Sequence, residues 1–127
     1  MEIYSRKHLI QLKMIKRQFK QNLQGFFIDF RMPIYCLIIT AALDAISTHH
    51  FMSLAGAHIE IHPYIRMLSI HLGIIWGPIV GKASQVAVGM IVVIYLRRYA
   101  AIILWTACLL YFMAFCFNIY VTNIRYG

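Results

Sequence analysis

The sequence predicts an all-α membrane protein with three transmembrane helices, a basic amphipathic N-terminal helix, and a short interfacial helix before the second span. Of the 127 residues, 61% are hydrophobic and only 13% are charged, whereas a soluble domain is about half apolar and about a quarter charged. Because a spanning helix needs about 20 apolar residues, three spans occupy most of the chain. We therefore expect no soluble catalytic domain within it.

The positive charges are distributed in a way that predicts topology. The net charge is +8, and basic residues that flank spans stay on the cytoplasmic side. We therefore expect a multi-pass protein of the cytoplasmic (inner) membrane, with its N-terminus in the cytoplasm and its C-terminus outside. A nucleic-acid partner is not expected, because the aromatic residues of the basic region lie in an apolar stripe rather than among the cations. The cations that precede the first apolar run are Arg6, Lys7, Lys13, Lys16, Arg17, Lys20 and Arg31.

Residues 1–31 form the first predicted unit, a basic amphipathic helix. Between Ile3 and Phe30, apolar residues recur at intervals of three and four, which places them on one helical face. This pattern is typical of a helix that lies among lipid headgroups with its lysines towards anionic lipid. The same stripe could instead pack against a partner subunit. Its members are Leu12, Ile15, Phe19, Leu23, Phe26 and Phe30.

Residues 32–127 form the predicted transmembrane domain, with spans at about 33–54, 78–96 and 99–121. Pro33 suits the first turn of a helix, where its missing N–H would be unbonded anyway. A signal peptide cleaved near Ala55 is disfavoured, because the apolar region is long, contains Asp44 and follows a basic segment. Arg97-Arg98 ends the second span and returns the chain to the cytoplasm.

Residues 55–77 are predicted to form an outer loop and an interfacial helix. The apolar run that ends at Leu96 is too long for one ordinary span, and Gly77-Pro78 divides it. We therefore expect a short helix over Tyr64–Trp76, close to the outer interface.

Two ionisable residues lie within the predicted spans, Asp44 and Lys82. A charge at membrane depth costs at least ~2.5–3.5 kcal/mol, so each needs a partner. Counted from the cytoplasmic ends at 1.5 Å per residue, the two lie within about 6 Å in depth. Asp44 shares a helical face with Thr48, and Lys82 shares one with Gln85, so we predict a buried polar centre of these four residues with Glu60 above it. Three interpretations remain open: a structural ion pair, a proton or ion relay, and a substrate or cofactor site.

Small residues predict close helix packing. They are Ala41 and Ala45 on the first span, and Gly73, Gly77 and Gly81 around the break in the second.

Histidines predict a second candidate site, in the outer loop. His50, His58, Glu60 and His62 could supply a transition-metal site, because imidazole and carboxylate suit zinc, iron, copper or manganese. The side chains of residues 58, 60 and 62 share a face only if the segment is extended, and Pro63 favours that conformation at His62. The alternative is that these histidines are hydrogen-bonded or solvated.

Part of the sequence resembles a family of small prokaryotic membrane proteins known as a domain of unknown function. The resemblance covers about residues 35–100 and rests on Asp44-x-x-x-Thr48, Gly56-x-x-x-Glu60-x-His62-Pro63 and Lys82. It implies a three-helix core with Asp44, Glu60 and Lys82 as its polar centre, and it implies no reaction. Members of that family usually have asparagine where this chain has His62.

The leading functional hypothesis is a small accessory subunit of a larger membrane complex of respiratory, photosynthetic or membrane-monooxygenase type. Other membrane subunits, a second copy of the chain and lipids are the expected partners. The alternatives are a metal-binding or redox-linked protein that uses the outer loop, and a proton or ion relay built on Asp44 and Lys82. An enzyme is not favoured, because no serine has a recognisable base beside it. The three cysteines, Cys36, Cys108 and Cys116, lie in apolar runs without ligand-like spacing and are expected to be packing residues.

Overall fold

The computed structural model describes residues 2–127, with side chains from residue 5 onward, so Ile3 of the predicted stripe lies outside the described side chains. Within that range the chain is helical and contains no strand. The elements, in order, are α1 (Glu2–Leu23), α2 (Phe26–Asp29), α3 (Arg31–Ala55), a 3₁₀ turn (Ala57–Ile59), α4 (Pro63–Tyr95), a second 3₁₀ turn (Arg97–Tyr99) and α5 (Ala100–Tyr126). Three helices, Arg31–Ala55, Pro63–Tyr95 and Arg97–Tyr126, are long and apolar enough to cross a membrane. The predicted all-helical fold with three such helices is thereby confirmed at this level.

The N-terminal helix is shorter than the apolar stripe suggested. Helix α1 ends at Leu23, and Gly25 adopts a left-handed conformation with φ of 69°, which glycine accepts without steric cost. The turn redirects Phe26, which is 0% exposed, into the bundle core. The expectation of one continuous helical face from Ile3 to Phe30 is therefore wrong beyond Leu23.

Arg97 fastens this turn to the bundle. Its guanidinium donates hydrogen bonds to the carbonyls of Asn22 and Gln24, each at 2.6 Å, and also pairs with the carboxylate of Asp29. The side-chain amide of Asn22 donates in return to the carbonyl of Tyr95 at 3.0 Å. The end of α1, the start of α3 and the α4–α5 turn therefore lie together, and we call this the basic end of the bundle.

Helix α4 is a hairpin of two helical limbs. Gly73 interrupts it with φ of 90° and ψ of 166°, and the limb before this residue runs antiparallel to the limb after it. A Cβ atom on Gly77 would lie 2.4 Å from Cα of Ser69, and the hydroxyls of Tyr64 and Ser84 are 3.1 Å apart. The first limb therefore covers residues 63–72 and the second covers residues 74–95.

The expected division at Gly77-Pro78 is wrong, because the helix continues through Pro78. Proline has no N–H to donate to the carbonyl four residues earlier, which is that of Ile74. His49 of α3 approaches this carbonyl instead, with its Nδ1 atom at 3.0 Å. This contact places the α4 hairpin turn beside the C-terminal part of α3, and we call this the histidine end of the bundle.

Helix α3 is central, with α5 and the second limb of α4 packed against it. Near the basic end the three helices enclose an apolar cluster. Its buried members are Phe26, Ile34, Leu37, Val93, Ile94, Ala100, Leu104 and Cys108. Polar groups occupy the interior nearer the histidine end.

Candidate functional site

The interior contains a charged pair, Asp44 on α3 and Lys82 on the second limb of α4. The Lys82 Nζ atom lies 2.5 Å from Oδ2 of Asp44, and the side chains are 14% and 1% exposed. Taking such charges out of water costs several kcal/mol per ion, so the pair persists only because each charge neutralises the other. The two residues that were expected within about 6 Å of each other in depth are in direct contact.

Asn118 of α5 completes the surroundings of the carboxylate. Its amide nitrogen lies 3.3 Å from Oδ1 of Asp44, 3.1 Å from the hydroxyl of Ser47 and 3.1 Å from that of Thr48. The amide has two hydrogens to share among these three acceptors. Ser47 donates its own hydroxyl hydrogen to the carbonyl of Asp44 at 3.0 Å. All three long helices therefore contribute to the polar centre.

Sequence reasoning missed Asn118. It is an amide within the most apolar of the three helices, and that isolation is the signal that could have identified it. A polar group in such a helix needs a hydrogen-bonding partner on another helix. Asp44 lies at a similar level along the bundle and is that partner.

A line of polar groups leads away from the ammonium of Lys82. The ammonium lies 5.3 Å from the centre of the Tyr111 ring, within the range of a cation–π interaction. The Tyr111 hydroxyl donates to Oε1 of Gln85 at 3.4 Å, and Nε2 of Gln85 lies 3.3 Å from Nε2 of His62. Glu60 then accepts a hydrogen bond from the backbone N–H of His62 at 3.0 Å. The α4 hairpin brings His62 to Gln85, because its antiparallel limbs set residue 62 opposite residues 84 and 85.

A cavity connects Asn118 with the histidine end. It has a volume of about 300 Å³ and both polar and apolar walls. Glu60 and Arg125 contribute its charged side chains. Asn118 also lines the cavity, and its amide donates a hydrogen bond to Asp44. The lining residues are Phe51, Ile59, Glu60, Ile61, Phe117, Asn118, Val121 and Arg125.

The structure does not assemble the predicted metal site of His50, His58, Glu60 and His62. Among the side chains that the structure describes, those of residues 5–127, no three of His, Cys, Asp or Glu lie close enough to hold a metal ion. The physical reason is the backward fold of the loop: Glu60 is bonded to the backbone of His62, whose ring faces Gln85. His50 remains exposed on α3.

The small residues have two different roles. Gly77 and Gly81 lie against Ser69 and Ile65, so they permit the two limbs of α4 to approach each other. Gly73 makes the turn between those limbs. Ala41 and Ala45 instead line a groove of about 490 Å³ between α3 and the second limb of α4, with Lys82 in its wall. The close helix packing expected at Gly77 and Gly81 is therefore formed between the two limbs of α4.

Comparison with known proteins finds no matching family model, no matching curated protein and no matching solved structure. The resemblance to the family of small prokaryotic membrane proteins therefore stays an expectation. The function has to be argued from the geometry of the polar centre.

Proposed function

We propose that this chain is a multi-pass membrane protein that crosses the bilayer with α3, the second limb of α4, and α5. The length and hydropathy of these helices support insertion. The contacts of Arg97 with Asn22 and Gln24 support the orientation, because they gather the arginines of the α4–α5 turn and the end of the basic helix at one side. Under the positive-inside rule, the basic end is cytoplasmic and the histidine end is outside.

Within that topology, the polar centre lies near the middle of the membrane. Asp44 is thirteen residues beyond Arg31, the first residue of α3, which corresponds to about 20 Å along the helix axis. Ionisable residues at such depth commonly belong to ion pathways or proton relays. We propose that Asp44 and Lys82 form a proton relay that exchanges protons with the outer aqueous side.

One observation carries this proposal: the 1% exposed carboxylate of Asp44 is joined through Asn118 to a cavity that also contains Glu60. Asp44 does not line the cavity and the Asn118 amide only donates to it, so water must pass Asn118 to reach the carboxylate. A hydronium ion then breaks one O–H bond, leaves as water, and gives its proton to Asp44, which loses its negative charge. Lys82 keeps its ammonium and retains the Tyr111 ring as an attractive neighbour.

The apolar cluster at the basic end limits proton transfer between the polar centre and the cytoplasmic side. Apolar residues such as Leu37, Val93 and Leu104 lie between the polar centre and the basic end, where they line a cavity of about 230 Å³ that reaches Gln85 and Tyr111. Apolar walls disfavour a continuous chain of water molecules, so a proton leaves towards the cytoplasm only when these helices separate. We expect slow, gated transfer rather than channel-like conduction.

The test is proton transfer in liposomes that contain the purified protein and a trapped pH-sensitive dye, driven by a potassium diffusion potential. The wild-type chain should acidify the lumen faster than protein-free liposomes, and Asp44→Asn should abolish the difference. Glu60→Gln, at the cavity, should slow transfer without removing the buried pair. Asp29→Asn is the control, because Asp29 is half exposed at the basic end. Wild-type transfer at the protein-free rate would refute the relay.

The accessory-subunit hypothesis is a second candidate, favoured by the exposed surface of α5. Only 17% of the most apolar window of Arg97–Tyr126 is buried, compared with 39% for Arg31–Ala55. Lipid would cover this surface as well as a partner would. Purification in mild detergent followed by native mass spectrometry separates the two, and a protein that runs alone as a monomer would contradict the subunit hypothesis.

A further inference from the structure

A cleft opens between α1 and the second limb of α4, at the basic end and apart from the polar centre. Its volume is about 630 Å³. The walls are largely apolar, and Lys16 contributes the cation among its lining residues. These residues are Ile15, Lys16, Phe19, Ile91, Val92, Tyr95 and Leu96.

The cleft exists because α1 is fixed to the bundle near its C-terminal end. The hydrogen bonds of Asn22 and Arg97 hold that end, and Phe19 packs against the core cluster. Nearer the middle of α1 the facing side chains are not covered, and Ile15, Ile91 and Val92 are between 46% and 58% exposed. Half-exposed aliphatic side chains on two facing helices form a surface that an apolar chain can cover.

The charge of α1 restricts what can occupy the cleft. Among residues 5–20, every Lys and Arg side chain is exposed, and this stretch contains no Asp or Glu. A protein segment seated in the cleft would cover Lys16 without neutralising it unless it brought its own acidic residue. A phospholipid with an anionic headgroup supplies the negative charge and the apolar chain in one molecule.

We infer that this cleft binds one anionic phospholipid, with its phosphate at Lys16 and an acyl chain along Ile91 and Val92. The inference rests on the membrane insertion and orientation proposed above, which place the cleft at the level of the cytoplasmic headgroups. It does not depend on proton transfer. The bound lipid completes the packing of α1 against α4.

The test uses the full chain, delipidated in nonionic detergent and titrated with phosphatidylglycerol or phosphatidylcholine while native mass spectrometry counts bound lipid. We expect one phosphatidylglycerol to bind in preference to phosphatidylcholine. Lys16→Gln should weaken that binding roughly fivefold, the factor that corresponds to one basic residue near an anionic surface. Ile91→Trp should also weaken it, by filling the cleft.

Lys7→Gln is the matched control, because it removes the same charge nine residues away, on the opposite face of α1 at 100° per residue, and Lys7 does not line the cleft. Circular dichroism confirms that each variant is folded. Equal binding of the two lipids would overturn the inference, and so would equal weakening by Lys7→Gln and Lys16→Gln, which indicates diffuse attraction to the whole helix. Loss of proton transfer in liposomes leaves this result unaffected, so the two proposals fail separately.

Discussion

The buried pair makes the sharpest prediction, a double-mutant cycle of Asp44→Asn and Lys82→Met. Removing one partner of a buried ion pair leaves an uncompensated charge and destabilises a protein by about 3–5 kcal/mol. Replacing both partners by uncharged residues is often close to neutral. We therefore expect each single variant to lose several kcal/mol of unfolding free energy, and the double variant to lose less than the worse single variant.

The structure also predicts which single change costs more. After Asp44→Asn, the ammonium of Lys82 is still 14% exposed and has the Tyr111 ring at 5.3 Å. After Lys82→Met, the carboxylate of Asp44 is 1% exposed and keeps the amide of Asn118, at 3.3 Å. The carboxylate is more enclosed than the ammonium and cannot reach water, so Lys82→Met should be the more destabilising change.

The assay is reversible unfolding in mixed micelles, followed by circular dichroism. A control cycle pairs Lys82→Met with Asp29→Asn, because Asp29 binds Arg97 at the basic end and shares no partner with Lys82. The control changes should add to within about 0.5 kcal/mol. If the Asp44 and Lys82 changes add equally well, the side chains do not interact and the reasoning fails.

Two further predictions concern the packing of the hairpin and of the basic end. Gly77→Ala should lower the free energy of unfolding by at least about 1–3 kcal/mol, since the new Cβ would lie 2.4 Å from Cα of Ser69. Gly89→Ala is the control, because the space around Gly89 is open, and it should be neutral or slightly stabilising. Equal unfolding midpoints for the two variants would contradict the antiparallel limbs. Arg97→Gln should release the end of α1 and increase its amide hydrogen exchange while leaving α5 protected, and unchanged exchange in α1 would show that the guanidinium does not hold this helix.

The contact between Asp44 and Lys82 could be predicted from sequence, because their relative level along the bundle depends on helix geometry alone. Span ends were marked by Pro33 and by Arg97-Arg98, and a constant rise per residue then fixes how far along each helix Asp44 and Lys82 lie. The expected span of 78–96 differs from the second limb, 74–95, by four residues at its start and by one at its end. Errors of that size do not move Lys82 out of reach of Asp44.

The position of the hairpin turn could not be predicted, because the stronger local signal was misleading. Gly77-Pro78 carries both residues that usually interrupt a helix, whereas Gly73 stands alone. Pro78 is accommodated because His49, on another helix, approaches the carbonyl of Ile74 that the proline leaves without a donor. That contact joins residues 25 positions apart, so the sequence pattern of α4 alone could not predict it.

The hairpin also decides the role of the histidine-rich loop. With a break at Gly77, residues 58–62 would stay at the outer interface, where imidazoles could converge on an ion. With the break at Gly73, the first limb folds back along the second, and His62 meets Gln85. Glu60 then contributes to a cavity that reaches Asn118, rather than to a metal site. Moving the break from Gly77 to Gly73 therefore places Glu60 at the cavity beside Asn118 and not in a metal site. Under the proposed relay, Glu60→Gln should slow proton transfer, and metal addition should not restore it.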